Sequence, residues 1–318
     1  MIEVADLRKE YGGFVAVEDS TFTVEPGEVF GIVGPNGAGK TTTLKAVAGL
    51  IEPTAGTVTV DGGDADDPET RRNLGFLPEE SPLYEEMTAT SYLHFFADLY
   101  DVPDDAAAER IDDALTRLEL EHRERRIGDM SKGMKRKVAI ARALVNDPDV
   151  LVFDEPASGL DPLTTNYVIE FTRELSEAGK TVVFSAHNLY HVEEVCDRVV
   201  IMNRGEIVAR GTVEGIRDRH GRTEYRVYTS VPVEGSEPVD ESDAGARDLG
   251  GQADADDPTG DQRRHRTTVA DMDAVEAVRE AARDAGGEVV DIRTDEPSLE
   301  EIFLDVAGES PLEAEAEP

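Results

Sequence analysis

A chain of 318 residues has room for two domains, one large enough for a substantial core, and its 39% apolar content excludes a chain disordered throughout. The net charge of −37, from 69 acids against 32 basic residues of which only seven are lysine, is spread along the whole sequence. It leaves no basic face for nucleic acid and reads as a halophile-like composition suited to molar salt, where charges are screened over about 3 Å. The one cysteine, Cys196, rules out an intramolecular disulfide and suits a reducing interior. Residues 1–11 lack the pattern of a signal peptide, and no apolar run reaches the roughly 18 residues of a membrane span, so neither is expected.

In chain order, IEVADL and the stretch through Phe22 and Val24 read as strands, separated by the turn Tyr11-Gly12-Gly13 and closed by Pro26-Gly27. GEVFGIVG (27–34) is a short apolar run ending at glycine, and TVTVDG (57–62) alternates into a turn. From 87 to 144 the spacing turns helical, with apolar residues three and four apart over 91–100 and 106–120. Apolar strands return at 150–153 and in TVVFSAH (181–187), and RVVIMNRGEIVARG (198–211) reads as a hairpin. Strands interleaved with helices predict an α/β fold. The sheet should be largely parallel, with an antiparallel piece at the front and a helical insert over about 84–145.

Beyond Gly221 the character changes. TEYRVYTSVPV (223–233) reads as a strand, and 234–262, acidic and nearly free of large apolar residues, as a disordered insertion. RTTVAD and EVVDIR read as strands either side of a helix over 272–284, which Gly286-Gly287 closes. Ser298-Leu299-Glu300-Glu301 is a capping-box pattern ahead of IFL. The expected organisation is a main domain over 1–220, a small α+β domain over 221–310 and a free tail over 311–318.

GPNGAGKT (34–41) fits G-x-x-x-x-G-K-[ST] between an apolar strand and a helix. The backbone of Gly34, Pro35, Asn36, Gly37, Ala38 and Gly39, with Thr42 beyond, would cradle a polyphosphate at the positive end of that helix. Lys40 would reach the β and γ phosphates, and Thr41 would set its hydroxyl on Mg²⁺. In LVFDEPASGLD (151–161) an apolar strand runs into Asp154 and Glu155, two adjacent carboxylates that resist burial. A divalent cation opposite Asp154 makes the first tolerable, and leaves Glu155 to orient a water and accept its proton.

With these residues in hand, the chain resembles the ATP-binding subunits of ABC transporters over roughly residues 1–220. The resemblance implies a P-loop ATPase core and gives further residues a role. Tyr11 lies where the family stacks an aromatic on adenine. In Met130-Ser131-Lys132-Gly133-Met134, Ser131 and Gly133 match the signature positions that touch the γ-phosphate bound by the opposite subunit, whereas Lys132 and Met134 depart from the commonest form. Met134, Val138, Ala141 and Val145 would form the core stripe of the same helix. Asp161, in ASGLD, resembles the family's residue at the dimer seam, and His187 its switch histidine. Glu79 stands where the family usually has a glutamine that contacts Mg²⁺; a carboxylate there remains a candidate metal ligand but adds negative charge beside the γ-phosphate.

The resemblance implies ATP hydrolysis with Mg²⁺, head-to-tail dimerisation with a second copy or a paralogue, and an integral-membrane permease subunit as partner. It also implies a peripheral position on the cytoplasmic face of the membrane. LYEEMTATSYLHFFADLY and the ending SLEEIFL are similar to subunits that serve exporters. The competing readings are a soluble ATPase of this type acting on ribosomes or DNA, an importer subunit, and a regulatory module without turnover. The acidity and the single cassette oppose the first, and Lys40, Glu155 and His187 together oppose the last.

Overall fold

The computed structural model describes residues 1–221, 224–239, 264–295 and 297–307. The chain divides into two compact units, Met1–Ile216 together with the helix that begins at Leu299, and Arg217–Ser298.

In chain order the first unit begins with β1 (Ile2–Tyr11), β2 (Phe14–Val24), β3 (Val29–Val33), α1 (Lys40–Val47), β4 (Ala55–Val60), β5 (Gly63–Asp64), α2 (Pro68–Arg72) and β6 (Leu74–Leu77). The helical insert follows as α3 (Ala89–Leu99), α4 (Asp104–Arg117) and α5 (Lys132–Leu144). Then come β7 (Val150–Phe153), α6 (Pro162–Glu177), β8 (Thr181–Ala186), α7 (Leu189–Val195), β9 (Arg198–Asn203) and β10 (Glu206–Gly211). Strands β2-β1-β4-β5 form an antiparallel sheet, and β10-β9-β3-β8-β7-β6 a mixed sheet that is parallel from β9 to β6.

Every residue of β3 and β7 is buried, as a parallel strand covered on both faces requires. Successive side chains point to opposite faces. Val29, Val33, Leu151 and Phe153 therefore join the cluster beneath the helical insert, while Phe30, Ile32, Val150 and Val152 join the one facing α1 and the antiparallel sheet. Each such side chain contributes about 1.5–3 kcal/mol by burial. Strand order then decides where the chemistry falls. Gly34 follows β3, His187 follows β8, Asp154 follows β7 and Glu79 lies just past β6, so all four emerge at the carboxyl edge of neighbouring parallel strands.

Helix α8 (Val213–His220) spans the division between the units. The second unit holds β11 (Glu224–Thr229), β12 (Glu237–Val239), β13 (Arg264–Val269), α9 (Met272–Asp284) and β14 (Val289–Asp295), with sheet order β12-β13-β11-β14, antiparallel throughout. Two sequence expectations need correction. The expected second domain over 221–310 included its last helix, yet α10 (Leu299–Ala307) belongs to the first unit. The reason is burial: Leu299, Ile302 and Phe303 enter the same cluster as Val192 and Val195 of α7, and the Leu299 N–H donates to Glu193 Oε1 at 2.6 Å. The expected insertion over 234–262 also starts too early, because Glu237–Val239 pairs with β13. Its residues 240–262, like the expected tail over 311–318, lie outside the described residues.

Candidate active site

The phosphate loop is shaped by close approach. A Cβ on Gly34 would lie 2.2 Å from the Met202 carbonyl, and one on Gly39, at φ 103°, would lie 2.6 Å from that of Ala16. Only glycine fits either place. Residues 35–42, with Phe14, Ala16, Glu79 and Glu155, line a pocket of about 280 Å³. Lys40 is 5% exposed and its ammonium donates to the carbonyls of Gly34 (2.7 Å) and Pro35 (3.2 Å). It also lies 3.4 Å from Glu155 Oε1.

Both oxygens of Glu155 are engaged, because His187 Nδ1 lies 2.9 Å from Oε2. Its backbone is equally held. The Glu155 N–H donates to Ser185 Oγ at 2.9 Å, and the carbonyl accepts from Arg136 at 2.8 Å. These contacts fix a glutamate at φ 45°, a left-handed conformation that costs a non-glycine residue about 1–2 kcal/mol. Asp154, 1% exposed, accepts at Oδ1 from Ser185 Oγ (2.7 Å) and from Thr41 Oγ1 (3.2 Å). Thr41 and Asp154 thus present hard oxygen donors side by side next to the phosphate cradle, the donor chemistry of Mg²⁺ bound by a few protein oxygens and a polyphosphate. Among the described residues no group of three or more His, Cys, Asp or Glu could hold a metal ion.

The structure thus brings Lys40, Thr41, Asp154, Glu155 and His187 together, with Glu79 on the pocket wall. It keeps the signature residues apart from them. Ser131 is the N-cap of α5, where its Oγ accepts from the Met134 N–H at 3.2 Å, and Gly133 sits in the next turn against Thr164. Glu79, Lys132, Lys135, Arg136 and Ser158 help line a separate cleft of about 600 Å³. Asp161 caps α6, accepting from the N–H and hydroxyl of Thr164 at 3.1 and 2.7 Å; these bonds hold its carboxyl below the usual carboxylate range. At the hairpin end, Tyr11 pairs with Phe14 and carries the Lys9 ammonium over its ring, and it is Phe14 that lines the phosphate pocket. On α5, Val138, Ala141 and Val145 are buried as the stripe requires, and Met134 packs partly buried against them.

Besides Phe14, two residues of the site escaped the sequence reading. Ser185 touches both Asp154 and Glu155, and only its place after an apolar strand hinted at it. Arg136 reads as one more charge in Lys135-Arg136-Lys137, yet it is buried, and its spacing to Ile140 and Ala143, also buried, was the available signal. Desolvation lowers its guanidinium pKa to about 10.

The comparisons with known proteins agree with this geometry. Residues 17–158 match the family described as ABC transporter, and residues 211–307 match the C-terminal domain of DrrA1-3-like ATP-binding proteins. The ABC transporter ATP-binding protein NatA of Bacillus subtilis (strain 168) is 43% identical over 205 residues, which cover 63% of this chain and 83% of NatA. The linearmycin resistance ATP-binding protein LnrL of the same organism is 36% identical over 225 residues, 70% of this chain and 72% of LnrL. A solved ATP-binding subunit of an ABC transporter shares the fold with a TM-score of 0.63 at 37% identity, over 69% of this chain and 92% of that one. The dimeric post-hydrolysis state of the cassette MJ0796, bound to ADP and Pi, gives 0.61 at 26% identity, over 67% and 98%. The chain belongs to the ATP-binding subunits of ABC transporters. It is an ATPase subunit that powers a membrane transporter.

Proposed function

We propose that this chain hydrolyses ATP at a pair of composite sites formed by two subunits head to tail, and that closing and reopening of this pair drives a separate permease subunit that exports its substrate. The observation that carries the reading is the cluster at the sheet edge, where Lys40 and His187 hold the two oxygens of Glu155 beside the Thr41–Asp154 pair. ATP phosphates compete with Glu155 for the Lys40 ammonium, and the carboxylate so released is the base that takes the proton of the attacking water. His187 keeps that carboxylate in position through Oε2. Thr41 and Asp154, with Glu79 as a further candidate, would hold the Mg²⁺, which when bound neutralises charge on the β and γ oxygens. Ser131 and Gly133 serve the opposite subunit's nucleotide. That explains why they lie apart from the chain's own phosphate pocket. Tyr11 and Phe14 are the aromatics available to adenine, and Asp161 belongs to the seam.

Several features support an exporter at the cytoplasmic face. Among the described residues no helix is long and apolar enough to cross a membrane. Tyr84, Phe95 and Leu99 are 55%, 37% and 59% exposed, and Tyr84 and Phe95 are in edge contact, an apolar patch fit for a permease helix. Relatives include a Nod factor export protein and a linearmycin resistance protein. The charge of −37 supports a salt-rich cytosol and opposes nucleic acid as partner.

Two substitutions test the assignment by size-exclusion chromatography in ATP, Mg²⁺ and molar KCl. E155Q keeps nucleotide and metal bound but loses the proton acceptor, so hydrolysis falls by about 10²–10⁴ and the protein elutes as a dimer. D154N weakens the metal, raises the Mg²⁺ requirement and elutes as a monomer. Normal turnover in E155Q would show that the base is another residue.

A further inference from the structure

Arg136 offers five N–H donors in a rigid planar fork, and the structure gives each of them a backbone carbonyl. Nε donates to Pro156 at 2.7 Å, Nη1 to Pro78 and Glu79 at 2.8 and 3.0 Å, and Nη2 to Asp154 and Glu155 at 3.0 and 2.8 Å. Nη1 also reaches Ser81 Oγ at 3.4 Å. These carbonyls belong to two loops, the one after β6 that carries Glu79 and the one after β7 that carries both catalytic carboxylates. The side chain that joins them comes from a third element, α5, little more than one turn beyond Ser131 at the helix N-terminus. A guanidinium that is 8% exposed and spends its donors on carbonyls rather than carboxylates is costly to bury. Desolvation accordingly lowers its pKa to about 10, which still leaves it charged at neutral pH.

A simple packing role does not require this residue. An apolar side chain aligned with Ile140 and Ala143 would fill the same space without the cost of desolvating a charge. What the fork supplies is a fixed distance between the Glu79 loop, the Asp154–Glu155 turn and the signature helix. Glu155 depends on that most, since its φ of 45° is opposed by its own side chain and held by the Arg136 bond on one side and Ser185 on the other.

We propose that Arg136 is a positioning residue for hydrolysis, a clamp that sets the Glu155 carboxylate and the Glu79 loop in register with the signature helix, so that engagement of Ser131 by the opposite subunit's nucleotide is felt at the chain's own catalytic base. The proposal rests on the assignment of Glu155 as that base. Arg136 touches none of the phosphate-loop residues, so its removal should separate binding from turnover.

The test uses the full chain in molar KCl with R136Q, R136G, R136K and, in parallel, E155Q. In R136Q the KM for ATP and the affinity for a fluorescent ATP analogue should stay within about threefold of the parent, while kcat falls about 10²-fold from misplacement of the base. In R136G, guanidinium chloride at a few millimolar, far below denaturing concentrations, should raise kcat severalfold where equal KCl does not. R136K, whose ammonium can meet at most three of the five carbonyls, should give an intermediate kcat at unchanged KM. A kcat within about twofold of the parent in R136Q, or a loss of binding in step with kcat, would overturn the clamp. If neither R136Q nor R136G folds, R136K decides alone: parent-like kcat overturns the proposal and a lowered kcat at parent KM supports it. Parent-like turnover in E155Q would instead remove the base assignment, a result the arginine variants cannot imitate.

Discussion

In the first unit β3 and β7 are buried at every residue, whereas β14 of the second unit is fully buried at none. The first sheet is covered on both faces, and the second has a small core built on Val227, Thr229, Val275 and Ala282, with half-exposed ion pairs such as Arg226–Asp295 across its strands. The contrast follows from what each must hold. A carboxylate that activates water needs its neighbours fixed to a fraction of an ångström, and a strand packed from both sides supplies that frame. Surface pairs of the kind found in the second unit contribute about 0–1 kcal/mol each and tolerate change. Catalysis should therefore be brittle to substitution in the first unit and tolerant in the second.

The largest expected effect is at Lys40. K40A removes the cation we assign to the phosphates, so ATP hydrolysis should fall below detection and nucleotide affinity should drop sharply. The melting profile of both units should survive, because the ammonium contacts only loop carbonyls and Glu155. Measurable turnover near the parent rate would refute the phosphate-loop assignment.

Next in size is a change that asks to which unit α10 belongs. Ile302 is 1% exposed within the first unit's cluster. I302A should cost about 2–5 kcal/mol of the first unit's stability, read as a lower urea midpoint for loss of ATPase activity. V275A, at a buried position under β11, should loosen the second unit and leave kcat unchanged. Equal effects of the two on activity would mean that the units melt as one.

Much of this contrast was legible beforehand. Four consecutive apolar residues at 150–153 and the glycine spacing of 34–39 are local patterns, and local patterns fixed the parallel sheet, the glycine-rich turn between β3 and α1 and the position of Asp154 at a strand end. The fate of α10 was not legible. Ser298 and the two glutamates mark where a helix starts, but nothing near them says that Glu193, more than a hundred residues earlier, receives its first N–H. Arg136 was hidden for the same reason: its carbonyl partners lie in two loops that come together only when β6 and β7 pair. Phe14 was overlooked because a resemblance pointed to Tyr11, its partner in the hairpin register.

Salt should act on stability before it acts on chemistry. With 69 acids against 32 basic residues, self-repulsion acts over about 10 Å at 0.1 M salt and only about 3 Å at 1 M. Thermal stability should rise steadily from dilute buffer to molar KCl. The gain should exceed what screening takes from surface pairs such as Arg266–Glu237 at 3.6 Å. A melting temperature independent of KCl would contradict the halophilic reading.

The smallest effect is expected from deleting residues 241–260 in the second unit. The deletion begins beyond Glu237–Val239, so the pairing of that strand with β13 is retained. Leu249 is the one large apolar side chain in the segment, which has little to offset the entropy of ordering its backbone. It also carries five more acids than basic residues, six against Arg247 alone, so its removal relieves self-repulsion. ATPase activity in molar KCl should stay within about twofold of the parent, and the melting temperature in dilute buffer should rise slightly rather than fall. A tenfold loss of kcat with the second unit still folded would assign this acidic stretch a part in the ATPase cycle and end the simple division between an exacting unit and a tolerant one.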